Sequence, residues 1–196
     1  MHALSIAIKQ PMKPGILPFR ASAEEPRLEW EDSAVLAVTD FTREFPVTVE
    51  EERSIDDALN DMVRLGVRAL VVTRNRGIAG LITSYDIQGE RPMQFLQSSN
   101  YSRHEDIQVG HIMTPWEHLS SVDWRDLPNV TVGQLTAVFE HTQTTHLTVV
   151  ESQPDGVPWI MRGLISRTRL ARQLGAGNGP SPQRLADNRP GRFAAR

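Results

Sequence analysis

The chain contains no cysteine. That absence removes disulfide frameworks, thiolate zinc sites, iron–sulfur clusters and cysteine nucleophiles together. No apolar run approaches the ~18–20 residues that cross a bilayer, so no membrane-spanning helix is expected. Leu4-Ser5-Ile6-Ala7-Ile8 is too short for the core of a secretion signal, and Lys9 and Lys13 follow it rather than precede it. A cytoplasmic protein is therefore expected. Charge of one sign is also lacking: 21 basic against 24 acidic residues give a net charge of −3. This leaves no broad basic footprint for nucleic acid and no long-range electrostatic steering. The sequence has no phosphate-cradling glycine loop followed by lysine, no Gly-x-Ser-x-Gly turn and no paired catalytic carboxylates. His104, His111, His118 and His141 lack metal-binding spacing and read as surface or packing residues. No catalytic residue and no metal site is assigned, and an enzyme is not expected.

What is present is an ordinary globular composition, 39% hydrophobic and 23% charged over 196 residues, enough for one domain or two small ones. Residues 1–32 hold Pro11, Pro14, Pro18 and Pro26 without sustained periodicity and read as an irregular N-terminal extension. Residues 175–196 are rich in glycine, proline and arginine, with almost no large apolar side chain. Such a tail does not bury enough surface to offset its ordering entropy and is expected to be disordered.

Between these ends lies a repeat. The first copy opens with the strand-like run Phe45–Val49. Ser54 with Asp57 then forms a capping signature ahead of Ile55, Ala58, Leu59, Met62 and Val63, which recur at helical spacing. Gly66 is placed to end that helix. Ala69–Thr73 reads as a buried strand, Asn75-Arg76-Gly77 as a turn and Ile78–Ile82 as the returning strand. Thr83 is placed to cap a second helix. In the second copy Thr131 and Gln134 take the places of Ser54 and Asp57. Leu147 and Val149 fall opposite Leu70 and Val72 in the same register, and Gly163-Leu164-Ile165-Ser166 repeats Gly80-Leu81-Ile82-Thr83. The second hairpin is longer, with its insertion at Ser152–Pro158. Each copy is thus strand–helix–strand–strand–helix. The first two strands should be parallel through a right-handed crossover and the last two antiparallel. A unit this small leaves one sheet face uncovered, which two copies packed sheet against sheet would bury. The same packing opens clefts for small ligands.

This ordered set resembles a tandem CBS-domain pair, or Bateman module. The residues that carry the resemblance are Val47-Thr48-Val49, Ser54-Ile55 with Ala58-Leu59, Gly66–Val72 and Gly80–Ile87. Val109–Thr114 and Ser33–Phe41 resemble the lead-in segments of the two copies. The resemblance covers Ser33 to Leu174. It implies an α+β fold of two tandem CBS repeats, each β-α-β-β-α, packed sheet against sheet with pseudo-two-fold symmetry. On this register residues 33–104 form the first repeat with its lead-in, and residues 105–174 the second.

The resemblance also implies an adenosine-containing ligand: AMP, ADP or ATP first, with S-adenosylmethionine also possible, and no metal. In the family motif, Thr83 and Asp86 would sit on the first turn of the last helix, where one carboxylate can accept from both ribose hydroxyls. The same pair also reads as a helix cap and first-turn acid without any ligand. Ser166 and Arg169 hold the corresponding places in the second copy. Arg169 cannot accept from ribose, so it either faces a phosphate or fills space. Arg68 and His146 stand where the family reaches phosphate, and read otherwise as a solvated arginine and a packing histidine. Trp116 and Trp124 are packing or dimer residues, or an adenine stack.

The expected function is a stand-alone regulatory sensor of an adenine nucleotide. Ligand would draw Asp86, Arg68 and His146 together and change inter-repeat or dimer geometry. The expected partners are a second copy of the chain and a regulated protein, with no membrane and no nucleic acid. The alternative is a structural protein-interaction module with degenerate nucleotide sites.

Overall fold

The computed structural model describes residues 26–99, 101, 103–152 and 159–175. Most of the N-terminal extension, nearly all of the long hairpin tip and all of the tail but Gly175 lie outside the described residues. A 3-10 turn at Ala34–Ala37 leads into a short strand, β1 (Thr39–Asp40). The first repeat comprises β2 (Thr48–Glu50), α1 (Ile55–Leu65), β3 (Ala69–Arg74), β4 (Gly77–Thr83) and α2 (Ser84–Gln88). Two helices, α3 (Arg91–Ser98) and α4 (Val109–Ile112), lead to β5 (Thr114–Pro115). The second repeat comprises β6 (Ser121–Asp123), α5 (Val132–Thr142), β7 (His146–Glu151), β8 (Ile160–Ser166) and α6 (Arg167–Leu174). Both repeats are β-α-β-β-α. In each, the first two strands are parallel and the last two antiparallel.

Local chemistry accounts for the element ends. The Ser54 hydroxyl accepts from the Asp57 N–H at 3.1 Å, and Gly66 closes α1 at φ 70°. Thr131 and Gln134 complete a reciprocal capping box at the start of α5. Strand β2 is shorter than the run Phe45–Val49. Pro46 has no N–H to donate, and Phe45 is almost fully exposed, so regular pairing begins at Thr48.

The lead-ins are exchanged between the repeats. Strand β1, ahead of the first repeat, pairs with β8 of the second, and β5, ahead of the second repeat, pairs with β4 of the first. The sheets therefore run β2-β3-β4-β5 and β1-β8-β7-β6. The exchange extends into the cores. Leu28, Ala34 and Ala37 pack with Val132, Leu135 and Phe139 of the second repeat. Ile107, Val109 and Ile112 pack with Ile55, Met62 and Ile82 of the first. Backbone bonds seal it: Val132 N–H donates to Asp32 O at 2.8 Å, and Ile55 N–H to Ile107 O at 3.1 Å. The sequence boundaries at 33, 105 and 174 follow the repeat register, while the packing crosses them.

Glycine permits this exchange. A β-carbon on Gly80 would overlap the Thr114 carbonyl oxygen, and one on Gly163 would overlap that of Thr39. Both sheets are buried on both faces. Leu70, Val72 and Ile82 face the helices of the first repeat, while Val71 and Leu81, on the opposite face, are each 3% exposed. Thr148 and Val150 are buried likewise in the second sheet. Val71 and Leu164 line one shared cavity, and Leu81 and His146 line another, so the two sheets face each other.

Candidate functional site

Two of the cavities between the repeats have the same construction, while a third of about 950 Å³ lies between Gly77–Ile78 and Ile160–Met161, beside Trp116. The smaller of the matched pair, about 220 Å³, joins the α2 start of the first repeat (Thr83, Tyr85, Asp86) to the segment Gln143–His146 at the head of β7. The lead-in residue Thr114 and the segment His118–Ser120 close it. The larger, about 520 Å³, joins the α6 start of the second repeat (Ser166, Thr168, Arg169) to Gly66–Ala69 at the head of β3, with the lead-in residue Thr39. Each cavity thus takes the strand head of one repeat and the last helix of the other. His146 lines both.

In the smaller cavity Thr83 and Asp86 form a closed pair. The Thr83 backbone N–H and hydroxyl donate to Asp86 Oδ2 at 2.8 and 2.7 Å, and the Asp86 N–H donates back to Thr83 Oγ1 at 3.3 Å. The other carboxylate oxygen, Oδ1, lies 3.0 Å from the Arg91 guanidinium. Arg91 in turn donates to Ile112 O at 2.8 Å and to Thr114 Oγ1 at 3.1 Å. Arg91 reaches Asp86 because α2 stops at Gln88. Gly89 turns the chain, and α3 restarts at Arg91. Arg91, Thr114 and His118 also line a neighbouring groove of about 540 Å³, so Arg91 stands as the partition between the two spaces.

His146 stands on the opposite wall, its Nδ1 3.0 Å from Thr145 Oγ1. Burial pulls its imidazole down from 6.5 to about 4, although the nearby Asp86 carboxylate pulls the other way. The ring is therefore neutral near pH 7, with one nitrogen able to donate and one to accept.

The six residues singled out from sequence separate. Thr83, Asp86 and His146 share the smaller cavity, while Arg68, Ser166 and Arg169 share the larger with His146. The expected convergence of Arg68 with Asp86 is corrected by this geometry. In the β3–β4 pairing Thr83 lies opposite Ala69, yet the facing sheets turn α2 toward the other repeat's strand head. Arg169 donates to Thr39 Oγ1 across the exchanged lead-in, and Ser166 caps α6 by accepting from the Arg169 N–H at 3.4 Å. Trp116 and Trp124 line neither cavity. Trp124 instead lies under the Arg162 guanidinium, 4.3 Å from its ring centroid. His111 stacks on Phe95 with centroids 4.5 Å apart.

Sequence reasoning passed over Arg91 and Arg172. The helix break at Gly89 hid the first, since residues five apart do not meet on a continuous helix. The second was open to reading, because Arg172 lies three residues after Arg169 on the same helix face. Among the described residues no helix is long and apolar enough to cross a membrane, and no group of three or more His, Asp or Glu side chains could hold a metal ion.

Residues 38–91 match the family description of the CBS domain. Residues 38–91 are thus a CBS domain. That match spans the first repeat, and the second repeat carries the same elements in the same order. The uncharacterized protein YlbB of Bacillus subtilis is 38% identical over 50 residues, 26% of this chain and 34% of that protein, so the match spans about a third of the curated relative's length. Among solved structures, an uncharacterized conserved protein from Pyrococcus horikoshii superposes with a TM-score of 0.50 at 18% identity, covering 85% of this chain and 100% of that one, and has the same fold. A CBS-domain-containing protein from Agrobacterium tumefaciens superposes at 0.49 with 19% identity over 81% of this chain and 98% of its own. The CBS-pair protein CBSX2 of Arabidopsis thaliana, in a structure solved in complex with AMP, superposes at 0.48 with 20% identity over 71% and 93%.

Proposed function

We propose that this protein is a regulatory sensor that binds an adenine nucleotide of the AMP, ADP or ATP type in the smaller inter-repeat cavity and changes inter-repeat or dimer geometry in response. The observation that carries this reading is the placement of Thr83 and Asp86. The hydroxyl and carboxylate face a cavity built from both repeats, with His146 on the far wall. A ribose diol can donate to Asp86 Oδ1, the oxygen that Arg91 now holds. The Thr145–His146 pair offers polar atoms to phosphate.

The size of the cavity supplies the mechanism. About 220 Å³ is below the ~300–1,000 Å³ usual for a small-molecule site, so a nucleotide enters only as Arg91 withdraws and the adjoining groove opens. Arg91 also holds Ile112 and Thr114 of the lead-in to the second repeat. Its displacement loosens α3 from that lead-in, so ligand free energy is coupled to the arrangement of the repeats. We assign no reaction to this site. A second copy of the chain is proposed as partner, with the exposed helix residues Val63, Tyr85, Met93 and Val138 available for contact.

The experiment is calorimetric titration of AMP, ADP and ATP into the wild-type protein and Asp86→Ala. Saturable binding that weakens at least about tenfold in Asp86→Ala is the expected result. Equal affinity in both proteins would remove Asp86 from the site. The Asp86–Arg91 pair also favours the second reading, a protein-interaction module, because it satisfies the carboxylate without a ligand. Absence of binding by all three nucleotides to both proteins would select that reading.

A further inference from the structure

We propose that residues 11–20 of this same chain dock in the groove between the two hairpins, laid across Trp116 and Trp159 with their basic side chains toward Glu117. The inference starts from that third cavity. At about 950 Å³ it is larger than either of the matched pair, and Ile78, Trp116, Leu119, Val150, Trp159 and Ile160 line it. Trp159 is 59% exposed, Ile160 43% and Ile78 41%. Large apolar side chains gathered in one groove and left open to water mark a surface that another segment covers.

The chemistry of the groove selects the occupant. Among the described residues Glu117 is the one charged residue of the lining. It is exposed, and the nearby Arg74 is already held by Glu51. Residues 11–20 carry Lys13 and Arg20 with no acid, and Pro11, Pro14 and Pro18 among Met12, Ile16, Leu17 and Phe19. Pro11 and Pro14 are one polyproline turn apart and share a face. Such a segment has little entropy to lose and seats on aromatic-lined grooves, whereas its missing N–H groups disfavour joining a sheet edge.

The chain is also threaded to deliver this segment. The groove lies at the hairpin end of both sheets, where Gly77 pairs with Arg74 and Ile160 with Glu151. Strand β6 runs parallel to β7 toward that end, and Trp124 N–H donates to Val150 O at 2.8 Å beside the groove. Helix α5 starts shortly after. There Val132 N–H donates to Asp32 O at 2.8 Å and Gly133 N–H to Trp30 O at 2.9 Å. The described chain thus begins, at Pro26, near the end of the molecule that holds the groove. Arg20 precedes Pro26 by six residues, which span ~20 Å when extended. The matched cavities open at the opposite end of the sheets, so this docking does not rest on nucleotide binding.

The chain has no cysteine, so a cysteine pair can be introduced without background. Full-length protein carrying Gly15→Cys with Gly77→Cys is treated with a short bismaleimide at low concentration. The reference carries Gly15→Cys with Leu65→Cys, on an exposed residue at the strand-head end of α1. Gly77 has room for a β-carbon, and Trp159 is exposed, so Gly77→Cys and Trp159→Ala retain the fold. The expected result is intramolecular cross-linking at least about tenfold faster with Gly77→Cys than with Leu65→Cys, slowed about fivefold or more by adding Trp159→Ala or Glu117→Lys. Equal rates at the two positions, or a rate unmoved by Trp159→Ala, would overturn the proposal. Cross-links found only between chains, read by mass spectrometry on mixed labelled and unlabelled protein, would give the groove to a second copy and overturn it as well.

Discussion

Asp86 is held on both sides, by Thr83 through Oδ2 and by Arg91 through Oδ1, so its two neighbours have opposite roles. Thr83 orients the carboxylate, whereas Arg91 competes for the oxygen that a ribose would use. Arg91→Ala is therefore expected to raise nucleotide affinity several-fold while Asp86→Ala lowers it, and parallel calorimetric titrations check the opposed signs. His146 gives a pH prediction. With a folded value of about 4 against 6.5 for the free side chain, the ring is neutral in both states above pH 7 and contributes nothing there. Below pH 6.5 the unfolded chain takes up the proton first. Stability then falls until about pH 4, by up to about 3 kcal/mol. Asp40 acts at lower pH. Arg162, bonded to it at 3.0 Å, holds its carboxyl at about 2, so that stabilisation is complete above pH 3.8 and is lost as pH falls through 2. Urea unfolding from pH 8 to pH 3 should show the upper limb in wild-type protein and its loss in His146→Gln. An unchanged slope would remove His146 as the source.

The elements follow closely from sequence patterning. Helix α1 is amphipathic where Ile55, Ala58 and Met62 recur, and Ser54 and Gly66 mark its ends. Helix α5 begins at Thr131 for the same reason, yet it ends at Gln143, a non-glycine residue held at φ 55°, which no composition rule announces. The partners of the lead-ins were not readable. Gly80 and Gly163 are visible as repeated glycines, but which backbone approaches them is a matter of tertiary pairing between segments far apart in the chain. The same limit hid the division of the site: Arg68 and Asp86 lie in one repeat, and the facing of the two sheets places them in different cavities. Glycine substitution tests this packing. Gly80→Ala and Gly163→Ala each force a β-carbon into a lead-in carbonyl and should cost about 1–3 kcal/mol. Gly77→Ala, whose β-carbon would meet only Arg74 O at 3.5 Å, should be close to neutral. Chemical denaturation of the three variants measures the contrast, and three equal midpoints would contradict the close approach of the lead-ins.

In the whole molecule, two small repeats share cores, sheets and cavities, so neither is complete without the other's lead-in. Unfolding should accordingly be a single cooperative transition, and Ile55→Ala, which empties a fully buried position of the first core, should lower the stability of both repeats by about 2–5 kcal/mol. Two separate transitions would show the repeats to be independent. The shared cavities are also where ligand would report on global arrangement. The most direct test of nucleotide sensing is a thermal-shift comparison of nucleotide-free wild-type protein and Asp86→Ala with AMP, ADP, ATP and S-adenosylmethionine, with GTP as control. At ~100-fold excess over Kd, binding contributes about 2.7 kcal/mol, or roughly 5–10 °C for a chain of this size. The expected result is a shift of that order with at least one adenosine ligand, lost in Asp86→Ala. A flat panel, or an equal shift in both proteins, would contradict sensing through the Thr83–Asp86 cavity.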